Sequence, residues 1–119
     1  MYKILVLEDD LSNLDAIRMV LESEHFKVRL LSDANQLQPA INSFLPDLIL
    51  MDVLLNDQDG RIICNGIKVN DRTRHIPVML ITAMLESQVA RIPCQADAIM
   101  FKPFDYDKLT RKVKSLLVH

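Results

Sequence analysis

A chain of 119 residues is long enough for one domain with a single hydrophobic core. Half of its residues are hydrophobic and a quarter are charged, a balance that excludes an intrinsically disordered chain. The net charge of −2 predicts no nucleic-acid or anionic-membrane surface, and no apolar stretch is long enough to span a bilayer. The two cysteines, Cys64 and Cys94, lack a CxxC spacing, which fits a protein with reduced cysteines better than a disulfide framework. We therefore expect one compact cytoplasmic domain.

Short apolar runs alternate with helical patterns along the whole chain. The apolar runs predict five strands, at residues 4–7, 26–31, 48–51, 77–81 and 98–101. Ser12 and Asp15 have the S-x-x-D form of a capping box, which predicts that the first helix begins at Ser12. Ser32 and Asp33 are predicted to cap the second helix, and Gly60 precedes the third. A short fourth helix is predicted around 85–92, and a last one at 109–117.

Five strand–helix units with apolar central strands predict an α/β fold, a doubly wound parallel sheet with helices on both faces. Crossover connections are right-handed, which leaves few topologies. The strand order 2-1-3-4-5 places the second strand at an edge, where the partly polar alternation of residues 26–31 belongs.

Polar residues follow four of the five predicted strands. They are Glu8 and Asp9 after the first strand, Asp52 after the third, Thr82 after the fourth and Lys102 after the fifth. Because ligands of open parallel sheets bind outside the carboxyl ends of the strands, these side chains are expected to share one site.

The residue types at this edge indicate phosphoryl chemistry. Neighbouring carboxylates destabilise one another unless a cation neutralises them or one takes a proton. Oxygen ligands in an incomplete cage suit Mg²⁺, and a lysine and a hydroxyl can hold phosphoryl oxygens. Asp52 would then be the nucleophile, with catalysis by positioning and charge neutralisation.

Each residue alone also has an ordinary structural explanation. Asp9 and Asp10 could complement the dipole of the first helix, and we expect Asp10 to do so. Asp52 could be a solvated strand end, and Lys102-Pro103 could merely terminate a strand. The joint placement at one edge favours a shared site over these separate explanations.

The motifs ILVLEDD, PDLILMDVLLNDQDG, HIPVMLITA and FKPF together make the chain resemble a receiver domain of bacterial two-component response regulators, a flavodoxin-like fold, over all 119 residues. The resemblance implies that Asp52 is the phosphoacceptor and that Thr82 and Lys102 hold the phosphoryl oxygens. It implies Mg²⁺ held by Glu8, Asp9, Asp52 and the backbone carbonyl of Leu54, with Glu8 acting largely through water. It also implies a cis Lys102-Pro103 peptide bond.

Three departures from the family pattern concern signalling. Ile99 stands at the switch position where many relatives have an aromatic residue, so a Tyr or Phe rotation cannot report phosphorylation here. Asn56 replaces a usual proline, and the stretch from Thr82 to Lys102, with Pro93 and Gln95, is shorter than usual.

Three function classes remain open at this point. The first is a phosphorylation-controlled switch that receives its phosphoryl group from a sensor histidine kinase or a histidine phosphotransfer protein. Such a switch would not be an enzyme, apart from slow self-dephosphorylation. Its output would be a downstream protein or a fused domain, although no effector domain is expected within residues 1–119, and a homodimer is left open. The alternatives are a pseudo-receiver, which binds partners through a silent pocket, and an Asp-nucleophile phosphohydrolase, which Asp52-Val53-Leu54 disfavours by offering no second acid.

Overall fold

The computed structural model describes residues 1–117 and contains one parallel five-stranded sheet. We number its strands β1 to β5: Lys3–Leu7, Lys27–Leu31, Leu48–Asp52, Val78–Thr82 and Ala98–Phe101. The helices are α1 to α5: Leu11–Ser23, Leu37–Phe44, Gly60–Val69, Glu86–Val89 and Tyr106–Leu117. The strand order is 2-1-3-4-5, so the predicted fold and the edge position of β2 are confirmed.

The apolar strands have two buried faces because successive side chains point to opposite sides of the sheet. One face, with Leu5, Ile49 and Leu80, packs against α2 and α3. The other face, with Val6 and Leu50, packs against α1 and α5. Covering both faces leaves the loops at the strand ends as the accessible part of the sheet.

The start of α1 differs from the prediction. Asp10, not Ser12, is the N-cap, and its Oδ1 accepts hydrogen bonds from Ser12 N at 3.0 Å and Asn13 N at 3.4 Å. A charged carboxylate one position before the helix satisfies its free N–H groups directly, so the Ser12–Asp15 capping box does not form. The expectation that Asp10 favours the helix start is confirmed.

The other element boundaries differ from the prediction in small ways. A 3-10 turn, Ala34–Gln36, capped by Asp33, precedes α2. The helix α4 has only four residues instead of the predicted eight, because the chain passes into a turn at residues 90–91. A hairpin that pairs Leu54–Leu55 with Gln58–Asp59 was not predicted.

Two further findings concern the whole described chain. Both cysteines are free, as predicted. Within residues 1–117, no helix is both long enough and apolar enough to cross a membrane.

Candidate functional site

The predicted site residues lie at the carboxyl edge of four adjacent strands. Asp52 and Thr82 are the last residues of β3 and β4, while Glu8 and Lys102 directly follow β1 and β5. These four strands are parallel neighbours in the sheet, so their ends meet at one edge.

Lys102 joins the two buried carboxylates of this edge. Its Nζ lies 2.9 Å from Asp52 Oδ2 and 3.6 Å from Glu8 Oε2. The backbone positions the lysine, because Lys102 N donates to Thr82 O at 2.7 Å. The Lys102-Pro103 peptide is cis, as expected. Burial disfavours the charged lysine, but its hydrogen bond to Asp52 and the nearby carboxylate charges outweigh this and raise the pKa of Lys102. The ammonium therefore stays charged beside the carboxylates.

Glu8 is a buried acid, with only 2% of its surface exposed. Its Oε1 accepts a hydrogen bond from Asp10 N at 3.2 Å, whereas Oε2 has no hydrogen-bond partner among the described residues. Burial, and after it the closeness and negative charge of Asp52, raise the pKa of Glu8 to about 8. In the protein alone, Glu8 is therefore mostly protonated at neutral pH.

Asp52 is held by the loop that follows it. Its Oδ1 accepts a hydrogen bond from Leu54 N at 3.0 Å. Gly60 N donates to Val53 O at 2.7 Å, and a Cβ at Gly60 would lie far inside van der Waals contact with the Asp52 carbonyl oxygen. A glycine at position 60 is what allows α3 to start so close to the end of β3.

Thr82 is fully buried and next to the strand that carries Asp52. Its Oγ1 accepts a hydrogen bond from Met84 N at 3.0 Å, so the hydroxyl is oriented by the backbone and its O–H can still donate.

Three predicted site residues remain, namely Asp9, Leu54 and Ile99. Asp9 is half-buried, and within residues 1–117 no three His, Cys, Asp or Glu side chains form a cluster able to hold a metal. Glu8 and Asp52 are thus brought together, and Asp9 is not gathered with them. The Leu54 side chain is 55% exposed, and Ile99 is half-buried against the core of the α2–α3 face.

Sequence reasoning missed one functional candidate, the pair Asp59 and Arg61 at the start of α3. Asp59 is the N-cap of this helix, a role that an aspartate before Gly60 signals in the sequence. The burial of Arg61, which is 5% exposed, has no signal in the sequence because its partners are distant backbone carbonyls.

Comparisons with known proteins agree with this fold. The model of the response regulator receiver domain matches residues 4–114, so the chain belongs to the receiver domain family of response regulators. Receiver domains are modules of two-component signalling that generally act as non-enzymatic switches and interact with histidine kinases or phosphotransfer proteins. The predicted family is confirmed.

Three similar proteins illustrate the relationship. The chain is 30% identical over 119 residues to the DNA-binding dual master transcriptional regulator RpaA of Synechocystis, covering 98% of this chain and 49% of that protein. It is 33% identical over 116 residues to the response regulator PleD of Caulobacter vibrioides, covering 96% of this chain and 26% of PleD. The receiver domain of a signal transduction histidine kinase from Syntrophus aciditrophicus superposes with a TM-score of 0.91 at 28% identity, covering 98% of this chain and 90% of that one. The chain thus spans half or less of the length of these two curated relatives.

Proposed function

We propose that this domain is a phosphorylation-dependent switch that accepts a phosphoryl group on Asp52. The donor is the phosphohistidine of a sensor kinase or of a phosphotransfer protein. Thr82 and Lys102 hold the phosphoryl oxygens, and Mg²⁺ is held by Glu8, Asp9, Asp52 and the Leu54 carbonyl.

The observation that carries this proposal is the pairing of Asp52 with Lys102 at 2.9 Å beside a buried oxygen, Glu8 Oε2, that has no hydrogen bond among the described residues and lies 3.6 Å from the same Lys102 Nζ. A buried oxygen without a partner is costly unless a ligand or a proton satisfies it. Two neighbouring carboxylates with hard oxygen donors fit Mg²⁺, which binds few protein ligands and keeps several waters. The oxygen donors of Glu8 and Asp52 therefore suit this cation, and Asp9, which is not gathered with them among the described residues, would have to approach them to join it.

The protein's own groups account for most of the transfer step. A carboxylate oxygen of Asp52 attacks phosphorus, the P–N bond of phosphohistidine breaks, and its electron pair returns to the imidazole ring. Lys102 Nζ shifts its hydrogen bond from the carboxylate to a phosphoryl oxygen, and the Thr82 hydroxyl donates to another. Mg²⁺, when bound, supplies the remaining neutralisation of the phosphoryl charge.

The rim of the site suits a protein donor. Three leucines follow the carboxyl ends of β1, β3 and β4, and each is more than half exposed: Leu11 at the start of α1, Leu54 in the hairpin and Leu85 just before α4. Exposed large apolar side chains around a polar centre are typical of a surface that a protein partner covers.

The phosphorylated state is expected to be long-lived. Leu54 and Met84 follow Asp52 and Thr82 by two residues each, and neither side chain can orient or deprotonate an attacking water. Slow hydrolysis suits a switch that a partner has time to recognise.

The test is incubation with acetyl phosphate and Mg²⁺, followed by intact mass and by assay of released phosphate. A stable adduct of one phosphoryl group supports the switch, provided that Asp52→Asn abolishes it. Asp57→Asn is the matched control, because Asp57 is an exposed carboxylate of the same loop. Continuous phosphate release without an adduct would indicate a hydrolase, and no adduct would indicate the pseudo-receiver that Ile99 at the switch position favours.

A further inference from the structure

Arg61 is the one buried arginine in the described chain. It is 5% exposed, whereas the other six arginines are exposed. Its Nε and Nη2 donate to the two carboxylate oxygens of Asp59 at 3.0 and 2.6 Å. Its Nη1 donates to the carbonyls of Gln88 and Val89 at 3.0 and 3.1 Å. A buried guanidinium is tolerated only when its donors are satisfied, and here Asp59 and the end of α4 share that role.

Arg61 thus joins Asp59 to the end of α4, and we call this set of contacts the clamp. Its Asp59 end is connected to Asp52, the proposed phosphoacceptor. Asp59 pairs with Leu54 across the hairpin, and Leu54 N donates to Asp52 Oδ1 at 3.0 Å. Asp59 Oδ1 also accepts from Arg61 N at 2.8 Å, which fixes the start of α3 to the same hairpin. A displacement of the loop after Asp52 therefore moves the carboxylate that holds Arg61.

The other end of the clamp holds the short helix α4. The helix α4 has four residues, Glu86–Val89, of which only Val89 is buried. So short a helix is not stable by itself, and its position depends on tertiary contacts. Arg61 supplies two of these contacts, to the carbonyls of Gln88 and Val89 at the carboxyl end of the helix, which also accept hydrogen bonds from the following turn.

We infer that Arg61 is a positioning residue that couples the state of Asp52 to the position of α4 through Asp59. This inference rests on the proposed function, because the signal is phosphorylation of Asp52. A phosphoryl group adds charge and bulk at the carboxylate that Leu54 N and Lys102 Nζ now contact, so the loop rearranges around it. The planar guanidinium of Arg61 binds Asp59 through two hydrogen bonds. It therefore transmits a displacement of the loop to α4, whereas a flexible side chain in its place would absorb that displacement. The aliphatic Ile99 leaves the switch position without a ring that could serve the same purpose.

The test compares wild type with Arg61→Met, which keeps an unbranched apolar side chain but loses every donor. Asp59→Asn is the second variant, since asparagine still caps α3 but carries no charge for the fork. Arg74→Met is the matched control, because Arg74 is an exposed arginine that contacts Asp71 alone among carboxylates of the described chain. Each protein is treated with acetyl phosphate and Mg²⁺; intact mass gives the phosphorylated fraction, and amide hydrogen exchange follows residues 86–92.

In wild type and in Arg74→Met, phosphorylation is expected to change the exchange of the α4 amides by about fivefold or more. In Arg61→Met and in Asp59→Asn, the phosphorylated fraction stays near wild type while the α4 change disappears. An unchanged α4 response in either variant overturns the inference, as does a phosphorylated wild type whose α4 does not respond. Should Arg61→Met fail to fold, Asp59→Asn decides alone. Absence of any adduct on wild type instead overturns the proposed function, and the coupling with it.

Discussion

Replacing Glu8 by glutamine is expected to remove most of the pH dependence of folding stability between pH 5 and pH 8 in metal-free protein. Burial first, and then Asp52, raise the pKa of Glu8 from 4.5 to about 8. The folded protein therefore holds a proton on Glu8 through a pH range in which the unfolded chain has released it. The stabilisation is complete below pH 4.5 and is lost as the pH rises through about 8.

The size of this effect follows from the shift. Each pKa unit corresponds to about 1.4 kcal/mol, so a rise from 4.5 to about 8 costs the folded state about 5 kcal/mol at high pH. Between pH 5 and pH 8, wild type should lose about 3–4 kcal/mol of unfolding free energy that Glu8→Gln retains. This loss is a large part of the roughly 5–15 kcal/mol of unfolding free energy that is typical of a domain. The lowered pKa values of Asp59 and Glu24 act at more acidic pH and do not contribute in this window.

The assay is urea unfolding of both proteins in excess EDTA at pH 5, 6, 7 and 8, with linear extrapolation to water. Glu86→Gln is the control, because Glu86 is an exposed glutamate on α4. Wild type and Glu8→Gln should agree at pH 5 and diverge steadily towards pH 8, while the control follows wild type. Parallel curves for wild type and Glu8→Gln would refute the account of Glu8 as a buried, protonated acid.

Three further predictions concern packing, acid stability and lifetime. Gly60→Ala should lower the unfolding free energy by about 1–3 kcal/mol, because the methyl group meets the carbonyl at the end of β3. Gly66→Ala, where nothing lies within 4 Å of the added Cβ, should instead raise it by about 1 kcal/mol; equal losses in urea unfolding would contradict this contrast. Asp59 has a lowered pKa, chiefly through its hydrogen bond from Arg61, so its contribution is present above pH 3.8 and lost as the pH falls through the lower folded value. Asp59→Asn should therefore lose less stability than wild type on acidification, and identical acid titrations followed by circular dichroism would count against the clamp. Phosphorylated wild type should decay slowly after removal of the donor, and Met84→Gln, which can orient a water, should decay faster; loss of the wild-type phosphoryl group within seconds would contradict the role given to Met84.

The sequence predicts the central fold because β1, β3 and β4 are buried on both faces and so consist of unbroken apolar residues. It also predicts which residues meet at the carboxyl edge, since strand ends of a parallel sheet lie side by side. Competition between neighbouring capping residues is harder to predict: the carboxylate of Asp10, two positions before Ser12, caps α1 in place of the Ser12 motif.

Long-range contacts to the backbone lie beyond any sequence pattern. Arg61 donates to carbonyls 27 and 28 residues away. Every residue has a backbone carbonyl, so the sequence does not show which of them will accept these hydrogen bonds. The sequence equally does not show that Oε2 of Glu8 is buried without a hydrogen bond, because its burial depends on tertiary packing. Both features follow from tertiary packing alone.

The central claim is that Asp52 is the residue that receives the phosphoryl group, assisted by Lys102. The most direct measurement is to treat the protein with acetyl phosphate and Mg²⁺, reduce the acyl phosphate with borohydride, and locate the resulting homoserine by peptide mass spectrometry. Homoserine is predicted at position 52 in wild type, at a much lower yield in Lys102→Met, and at no position without phosphodonor. Homoserine at another aspartate, or equal yields with and without the Lys102 ammonium, would contradict the account.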